Sequence, residues 1–345
     1  MKLYWGLAAF AGAFAMVGAS TVTIAAEFSI RGSHAESTES PLHKGWQVFE
    51  AYVESASGGR VEVSISPASQ LGSIKDALEQ AKIGAIEMAQ GDEQNLDGFY
   101  KPMMILATPY LFANDEEGQR FLDSDFFMEV REKMAKESGL RFLAASSYGF
   151  RCFTNNVKPI KSAADMAGIR MRVPPSPMSL AMVEAMGGSP TPVPWEELYG
   201  AMQSGVVDGQ ENPVGVVLDY SFYQVQKYLT LDNHQLGLNS LMINEQFFQS
   251  LPPELRAVVV TGARMAAATE YGERNYQARV SAVEKLRGNG MEVYAPTLEE
   301  IETFRAATKE PMQAYLKKEL DPGYVDAVYK EVADIRAALV SSVSE

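Results

Sequence analysis

Short strands and amphipathic helices alternate along the first third of the chain. Residues 61–66 alternate apolar and polar side chains, which is the two-residue period of a half-buried strand. Residues 42–53 carry Leu, Trp, Phe and Val at helical spacing, and residues 74–84 show a second helical pattern. With strands predicted at 27–30 and 85–90, the order strand–helix–strand–helix–strand indicates an α/β fold with parallel pairing.

The remainder of the chain continues this alternation and ends in long helical patterns. One pattern runs from residue 252 to about 286, which is long enough to lie along two lobes and tie them together. The pairs Ser162/Asp165 and Thr297/Glu300 have the spacing of capping boxes at helix starts. We further expect an acidic helix at about 114–136. Four strands are predicted at 140–146, 149–154, 227–232 and 236–243.

A short alternating segment places two arginines on the same face of a predicted strand. Ile169, Met171 and Val173 fall on one face, and Arg170 and Arg172 fall on the other. Arg172 comes at the carboxyl end of that strand, which is where ligands bind in open α/β sheets. The pattern alone leaves two roles open for Arg172, ligand binding and an ordinary place on the surface.

Residues 206–213 follow a helix-like run and are rich in Gly, Asp, Asn and Pro, a composition that predicts a polar turn. Asn212 precedes Pro213 in this segment. The Arg172 guanidinium and the Asn212 amide together offer donors suited to a small carboxylate, because the planar fork of arginine matches two carboxylate oxygens.

Four further residues are candidates for the same site, each with a plainer alternative. Arg151 lies among aromatic residues and needs an anion if it is buried, which a structural ion pair would also supply. Trp195 has a helical spacing that is more typical of a core residue. Gln94 follows a predicted strand end and Glu36 lies in a polar loop. Both can hydrogen-bond the hydroxyls of a ligand, or they belong to solvated loops.

The composition excludes several functions. With 345 residues the chain is long enough for two domains, and its formal net charge of -14 is a poor match for nucleic acid. The single cysteine, Cys152, excludes an intramolecular disulfide and a cysteine-type metal site, and we expect a buried, inert thiol. The sequence contains no nucleophile elbow, phosphate loop or dinucleotide fingerprint. We therefore expect a protein that is not an enzyme and that needs no metal or cofactor.

The N-terminus predicts export from the cytoplasm. Lys2 precedes an apolar run over residues 3–17, and small residues follow it. This arrangement is typical of a secretory signal peptide covering residues 1–26 and cleaved near Ala26. The alternative is an uncleaved anchor, for which the run is short.

Four ordered motifs resemble those of one transport family. They are GFRCFTN at 149–155, DMAGIRMRVP at 165–174, PWEELY at 194–199 and GVVDGQENP at 205–213. In this order and spacing they are similar to the motifs of the DctP-type periplasmic substrate-binding proteins of TRAP transporters. The resemblance spans about residues 27–250, and the C-terminal part agrees in its long helix.

The resemblance implies a fold, a location and partners. The fold is a two-lobed α/β periplasmic binding protein, type II-like, with strand hinges and a long helix spanning both lobes. Lobe I is expected to hold residues 27–149 plus about 238–277, and lobe II residues 150–237 plus about 278–345. We expect a periplasmic monomer that captures a small organic carboxylate. Delivery is to a permease with a small and a large membrane subunit, driven by an ion gradient.

The resemblance also implies roles for individual residues. Carried over by position, Arg172 resembles the arginine that clamps the substrate carboxylate. Arg151 resembles a second arginine of the cleft, and Asn212 the amide that helps to hold the same anion. Trp195 stands where a smaller aromatic residue is common. Independently of the resemblance, the polar residues Gln94 and Glu36 favour a hydroxylated or sugar acid as the ligand, while cleft aromatics would equally suit an apolar acid. Two alternatives use the same cleft: a secreted enzyme acting on a small organic acid, and a sensory protein that presents it to a receptor.

Overall fold

One mixed β-sheet organises the described part of the chain, which is residue 1 and residues 25–343 of this computed structural model. Its strands are β1 Phe28–Ser33, β2 Val61–Ser66, β3 Met88–Asp92, β4 Leu140–Asn155, β5 Arg170–Val173, β6 Ser189–Pro192, β7 Gly209–Pro213, β8 Tyr228–Asn244 and β9 Glu292–Tyr294. They pair in the order β2-β1-β3-β8-β4-β7-β5-β6, with β9 beside β8.

Helices cover the sheet on both sides. The α-helices of the described residues are α1 Pro41–Ala56, α2 Ile74–Lys82, α3 Asp115–Leu122, α4 Asp125–Ser138, α5 Pro177–Ala185, α6 Leu198–Gln203, α7 Val214–Asp219, α8 Glu245–Ser250, α9 Pro253–Gln277, α10 Val283–Gly288, α11 Leu298–Glu319 and α12 Pro322–Val343. Short 3₁₀ turns connect several of these elements.

The parallel pairing predicted for the first strands is confirmed, since β1 pairs in parallel with both β2 and β3. The centre of the sheet is antiparallel, from β3 through β8 and β4 to β7. Pairing becomes parallel again where β5 meets β6 and β7. Two parallel regions are thus joined by the long strands β4 and β8, which have 16 and 17 residues.

Each of these long strands replaces a predicted pair of short ones, so that part of the prediction is wrong. The ladder between β4 and β8 continues through positions predicted to be connections. The register shifts between Ser147 and Gly149, and Gly149 adopts φ of +111°, so the chain bulges without leaving the sheet. Asn233 also has a positive φ, of 49°, inside β8. Residues that resembled turns are therefore bulges.

The polar turn predicted at residues 206–213 is also wrong, because β7 occupies most of that segment. All five of its residues are buried, and Asn212 lies opposite Cys152 on β4. Its polar side chains are bonded inside the sheet, as when Gln210 donates to Thr154 Oγ1 at 2.9 Å. Strand pairing with full polar satisfaction overrides the turn propensity of Gly, Asn and Pro.

The helix predictions are confirmed at the long helix and wrong at the acidic one. α9 continues through one π-turn, Ala278–Ala282, into α10, and both predicted capping boxes are present. The predicted helix over 114–136 is instead α3 followed by α4. Ser124 separates them, because its hydroxyl accepts a hydrogen bond from the Phe127 backbone N–H at 3.2 Å and caps a new helix.

The long helix contacts both regions of the sheet. α9 packs on α1 in a core cluster that includes Trp46 and Ala263, and α10 adds Leu286 to a separate cluster with α6 and α7. The predicted lobe boundaries fall inside β4 and β8, and the assignment of residues to lobes stays a prediction. The terminal helix α12 reaches back to α3, where Arg336 lies 2.7 Å from Glu117.

The predicted signal peptide, residues 1–26, lies almost entirely outside the described residues. Between residues 25 and 343, no helix combines the length and the apolar character that crossing a bilayer requires.

A buried arginine on β4 ties that strand to β7. Arg151 donates through Nε and Nη2 to the Glu211 carboxylate, and Nη2 also reaches the Glu211 carbonyl at 2.8 Å. Nη1 donates to the Tyr148 hydroxyl and lies 3.4 Å from Glu93 Oε1. All five N–H donors of this guanidinium are therefore used within the protein. The structural ion pair left open for Arg151 by the sequence is present.

His234 extends this network from β8. Its Nδ1 lies 2.7 Å from Asp232 Oδ2 and its Nε2 lies 3.4 Å from Glu211 Oε2. Burial favours the neutral imidazole, but the two carboxylates raise the pKa of His234 to about 9. Burial would raise the pKa of Glu211, but Arg151 and His234 lower it to about 2. At neutral pH His234 is therefore a cation that holds β8 to β7.

Replacing His234 by Asn removes a cation whose stabilising effect depends on pH. Because its folded-state pKa lies above the ordinary value of 6.5, its contribution is complete below about pH 6.5 and is lost as the pH rises to about 9. We expect the wild type's advantage in free energy of unfolding to shrink by about 3 kcal/mol across that range. Urea titrations at several pH values measure it.

His43→Asn is the control, because burial lowers the pKa of His43 and its contribution does not decline as the pH rises. A constant advantage of the wild type over His234→Asn would contradict a charged His234.

Gly209→Ala tests the close approach of β7 to β4. A Cβ at Gly209 would overlap the backbone carbonyl oxygen of Thr154. We expect a loss of about 1–3 kcal/mol in the free energy of unfolding, measured by urea denaturation. Gly200→Ala is the matched control, because Gly200 is an exposed position of α6 and a Cβ there meets nothing within 4 Å. Equal stability of the two variants would show that the strands can separate freely.

Candidate functional site

A cavity of about 220 Å³ opens between the two regions of the sheet. All six residues predicted from the sequence to bind ligand line it: Glu36, Gln94, Arg151, Arg172, Trp195 and Asn212. Several other wall residues are not predicted from the sequence, among them Asn239 on β8, Tyr148 on β4 and Ser73, the N-cap of α2. The long strands thus contribute to the cavity from their centres as well as their ends.

Arg172 is the penultimate residue of β5 and is 2% exposed, which decides against a surface role. Its Nε donates to the Val193 carbonyl at 2.8 Å, which fixes the plane of the guanidinium. Within the described residues, neither Nη group has a hydrogen-bond partner, and no carboxylate lies within 4 Å. Burial lowers the pKa of Arg172 to about 10, so at neutral pH it is a buried cation without a counter-ion.

The neighbouring arginine on the same strand has the opposite environment. Arg170 is exposed, and its Nε donates to Asp208 Oδ2 at 3.0 Å. Its Nη2 donates to the other Asp208 oxygen at 2.5 Å, which completes a bidentate pair. The two arginines share one face of β5, but Arg170 begins the strand and is paired at the surface, whereas Arg172, two residues further on, is buried and unpaired.

Two amides lie on the cavity wall with Arg172. Asn212 is buried on β7, and its Nδ2 donates to Gln210 Oε1 at 2.6 Å. Gln94 is 3% exposed, and its Nε2 has no hydrogen-bond partner among the described residues. A buried amide without a partner is costly, so Gln94 Nε2 is a donor available to a ligand.

Glu36 is held by an arginine of the long helix. Arg274 Nη2 donates to the Glu36 carboxylate, and Arg274 Nη1 donates to Asp219 on α7 at 3.0 Å. One turn earlier, Glu270 accepts from Asn239 Nδ2 at 2.6 Å. The long helix thereby links the first side of the cavity to α7 on the second side. The sequence contains a signal for this role. Glu270 and Arg274 are charged residues on the same helical face as Ala263 and Ala266, and charged residues on a buried face are usually paired.

Direct contacts also cross between the two sides of the cavity. Ser69 Oγ donates to Glu196 Oε1 at 2.9 Å, and the Ser37 backbone N–H donates to the Tyr220 hydroxyl at 3.2 Å. Trp195, which begins a 3₁₀ turn, lines the cavity and packs edge-on against the Tyr220 ring at 4.7 Å. These contacts therefore join the two sides of the cavity, and Trp195 belongs to both the core and the cavity wall.

The described residues present neither an exposed thiol nor a metal site. Cys152 is buried, as predicted, and burial raises the pKa of its thiol. Within the described residues, no group of three or more His, Cys, Asp or Glu side chains is arranged to hold a metal ion. The chemistry that this cavity offers is recognition of an anion by a fixed guanidinium and several amides.

Comparison with known proteins identifies the family of this chain. Residues 32–319 match the DctP family model, described as bacterial extracellular solute-binding protein, family 7. The 2,3-diketo-L-gulonate-binding periplasmic protein YiaO of Escherichia coli K12 is 29% identical over 80% of this chain and 79% of its own. The C4-dicarboxylate-binding periplasmic protein DctP of Rhodobacter capsulatus is 30% identical over 77% of this chain and 81% of its own.

Solved structures extend the likeness to three dimensions. A TRAP periplasmic solute binding protein from Anaerococcus prevotii with bound D-glucuronate has a TM-score of 0.82 and 28% identity. That alignment covers 89% of this chain and 99% of the other. The two-lobed fold predicted from the sequence is confirmed. This chain belongs to family 7 of the bacterial extracellular solute-binding proteins, the DctP family of TRAP transporter binding proteins.

Proposed function

We propose that this protein captures a small organic carboxylate in the cavity beside Arg172 and delivers it to a TRAP permease. In this proposal the mature protein is a periplasmic monomer, and the permease has a small and a large membrane subunit. The observation that carries the proposal is the buried Arg172 guanidinium, which has no counter-ion among the described residues. A ligand carboxylate supplies the missing charge and accepts from both Nη groups at once.

The physical gain depends on closure of the two sides. In a water-excluded cavity a charge-assisted pair is stronger than in bulk solvent, because the effective dielectric constant is lower. The contacts of Arg274 with Glu36 and Asp219 draw the same two sides together. Ligand binding therefore shifts the population towards the closed form, and the closed form is the one that docks on the permease.

The rest of the cavity wall favours a hydroxylated acid, such as a sugar acid. Gln94 Nε2 is a free donor, and the carboxylates of Glu36 and Asp92 are acceptors for hydroxyl groups. Relatives support this class, since one is named for 2,3-diketo-L-gulonate and one solved structure holds D-glucuronate. A thermal-shift screen of organic acids would identify the ligand, because binding to the native state raises the unfolding temperature. Recovery of the acid unchanged after incubation would separate binding from catalysis.

Arg172→Met tests the proposal, because Met fills similar space without charge. With the acid found by the screen, we expect calorimetry to show at least a roughly 100-fold loss of affinity, as two charge-assisted hydrogen bonds are removed. The ligand-free variant should unfold at the same temperature as the wild type or higher, since an unpaired buried charge is gone.

Arg170→Met is the matched control, two residues away on the same strand. It breaks the exposed pair with Asp208 and a hydrogen bond to the Val206 carbonyl, both outside the cavity, so affinity should stay within about threefold of the wild type. Near-native affinity of Arg172→Met would refute the proposed role of this guanidinium.

A further inference from the structure

The cavity wall carries three cationic and three acidic residues, but most of these charges are compensated. The residues are Arg151, Arg172, Lys75, Glu36, Asp92 and Glu196. Arg151 is neutralised by Glu211, and Glu36 is neutralised by Arg274. Two opposite charges inside the protein therefore cancel in each pair, and neither pair attracts or repels a ligand strongly.

Lys75 and Glu196 lie on the exposed rim of the cavity. Both residues are exposed to solvent, and Glu196 accepts a hydrogen bond from Ser69 at 2.9 Å. Exposed charges are hydrated and screened by salt, so each contributes little to the affinity for a buried ligand group. These two residues leave the charge of the inner wall unchanged.

The charges that remain on the inner wall are Arg172 and Asp92. Asp92 ends β3, and its Oδ1 accepts from the Gln94 backbone N–H at 2.9 Å and from Asn95 Nδ2 at 2.8 Å. Among the described residues, no Lys, Arg or His nitrogen lies within 4 Å of it. Burial raises the pKa of Asp92 despite these hydrogen bonds, as expected for a carboxylate without a counter-ion.

We infer that Asp92 makes the cavity selective for acids with a single negative charge, because it repels a second carboxylate on the ligand. The inference rests on the proposed function and deepens it. Arg172 and Asp92 line one cavity of only about 220 Å³. A diacid that places one carboxylate on Arg172 therefore brings the other within Coulomb range of Asp92, where like charges repel strongly. A hydroxyl at the same place donates to Asp92 instead.

Matched pairs of acids that differ only in a second terminal carboxylate test this selectivity. The probes are D-gluconate with D-glucarate, D-galactonate with D-galactarate, and D-erythronate with meso-tartrate, each titrated by calorimetry at pH 7.5. For the wild type we expect the monoacid to bind at least about tenfold more tightly than its diacid. Asp92→Asn should reduce that ratio at least about fivefold, mainly by strengthening diacid binding.

Asp123→Asn is the matched control, because it makes the same change of charge on the exposed end of α3, outside the cavity. The ratio of its affinity for the monoacid to its affinity for the diacid should equal that of the wild type. Asp92→Asn keeps a side-chain oxygen to accept from Gln94, and thermal unfolding of the ligand-free variant checks that it is folded.

Two results would overturn the inference while leaving the proposed function intact. One is a wild type that binds a diacid as tightly as its monoacid. The other is a ratio that does not change in folded Asp92→Asn. If none of the six acids binds, and no other organic acid in the thermal-shift screen raises the unfolding temperature, the proposed function fails and the inference fails with it.

Discussion

The binding cavity depends on one uncompensated cation, the guanidinium of Arg172. Taking a cation out of water is expensive unless an anion accompanies it, and the described part of the chain places no carboxylate within 4 Å of this one. The backbone of β5 and the hydrogen bond to the Val193 carbonyl nevertheless hold the side chain at the wall of a cavity. In the proposed function a ligand carboxylate relieves that cost, so recognition of the ligand also stabilises the protein.

The neighbouring cations are arranged so that Arg172 alone stays available to a buried anion. Arg151, although it lines the same cavity, has every N–H donor engaged by Glu211, Tyr148 and Glu93. Its charge is neutralised by Glu211, and a direct contact of Arg151 with ligand stays a prediction. Arg274 engages Glu36 and Asp219 and so couples the cavity to the long helix. The paired charges thus make the cavity wall rigid, and the unpaired Arg172 cation is the group proposed to bind the ligand.

Sequence patterns predicted those parts of this design that depend on local periodicity. The two-residue alternation placed Arg172 at a strand end, and the apolar spacing predicted the long helix. The strand pattern does not decide whether Arg172 is buried, because burial depends on contacts with distant strands. β7 was predicted wrongly for the same reason, since the turn propensity of its residues is outweighed by pairing with β4. Asn239 gave no local signal, as it lies in the middle of a long strand.

The most direct measurement of the central claim is a crystal structure of the protein with its acid bound. The account predicts the ligand carboxylate in the cavity with its two oxygens about 2.7–2.9 Å from the two Nη atoms of Arg172, and the Nε contact with Val193 retained. A carboxylate bound elsewhere, with Arg172 turned towards solvent or paired with a protein carboxylate, would contradict it.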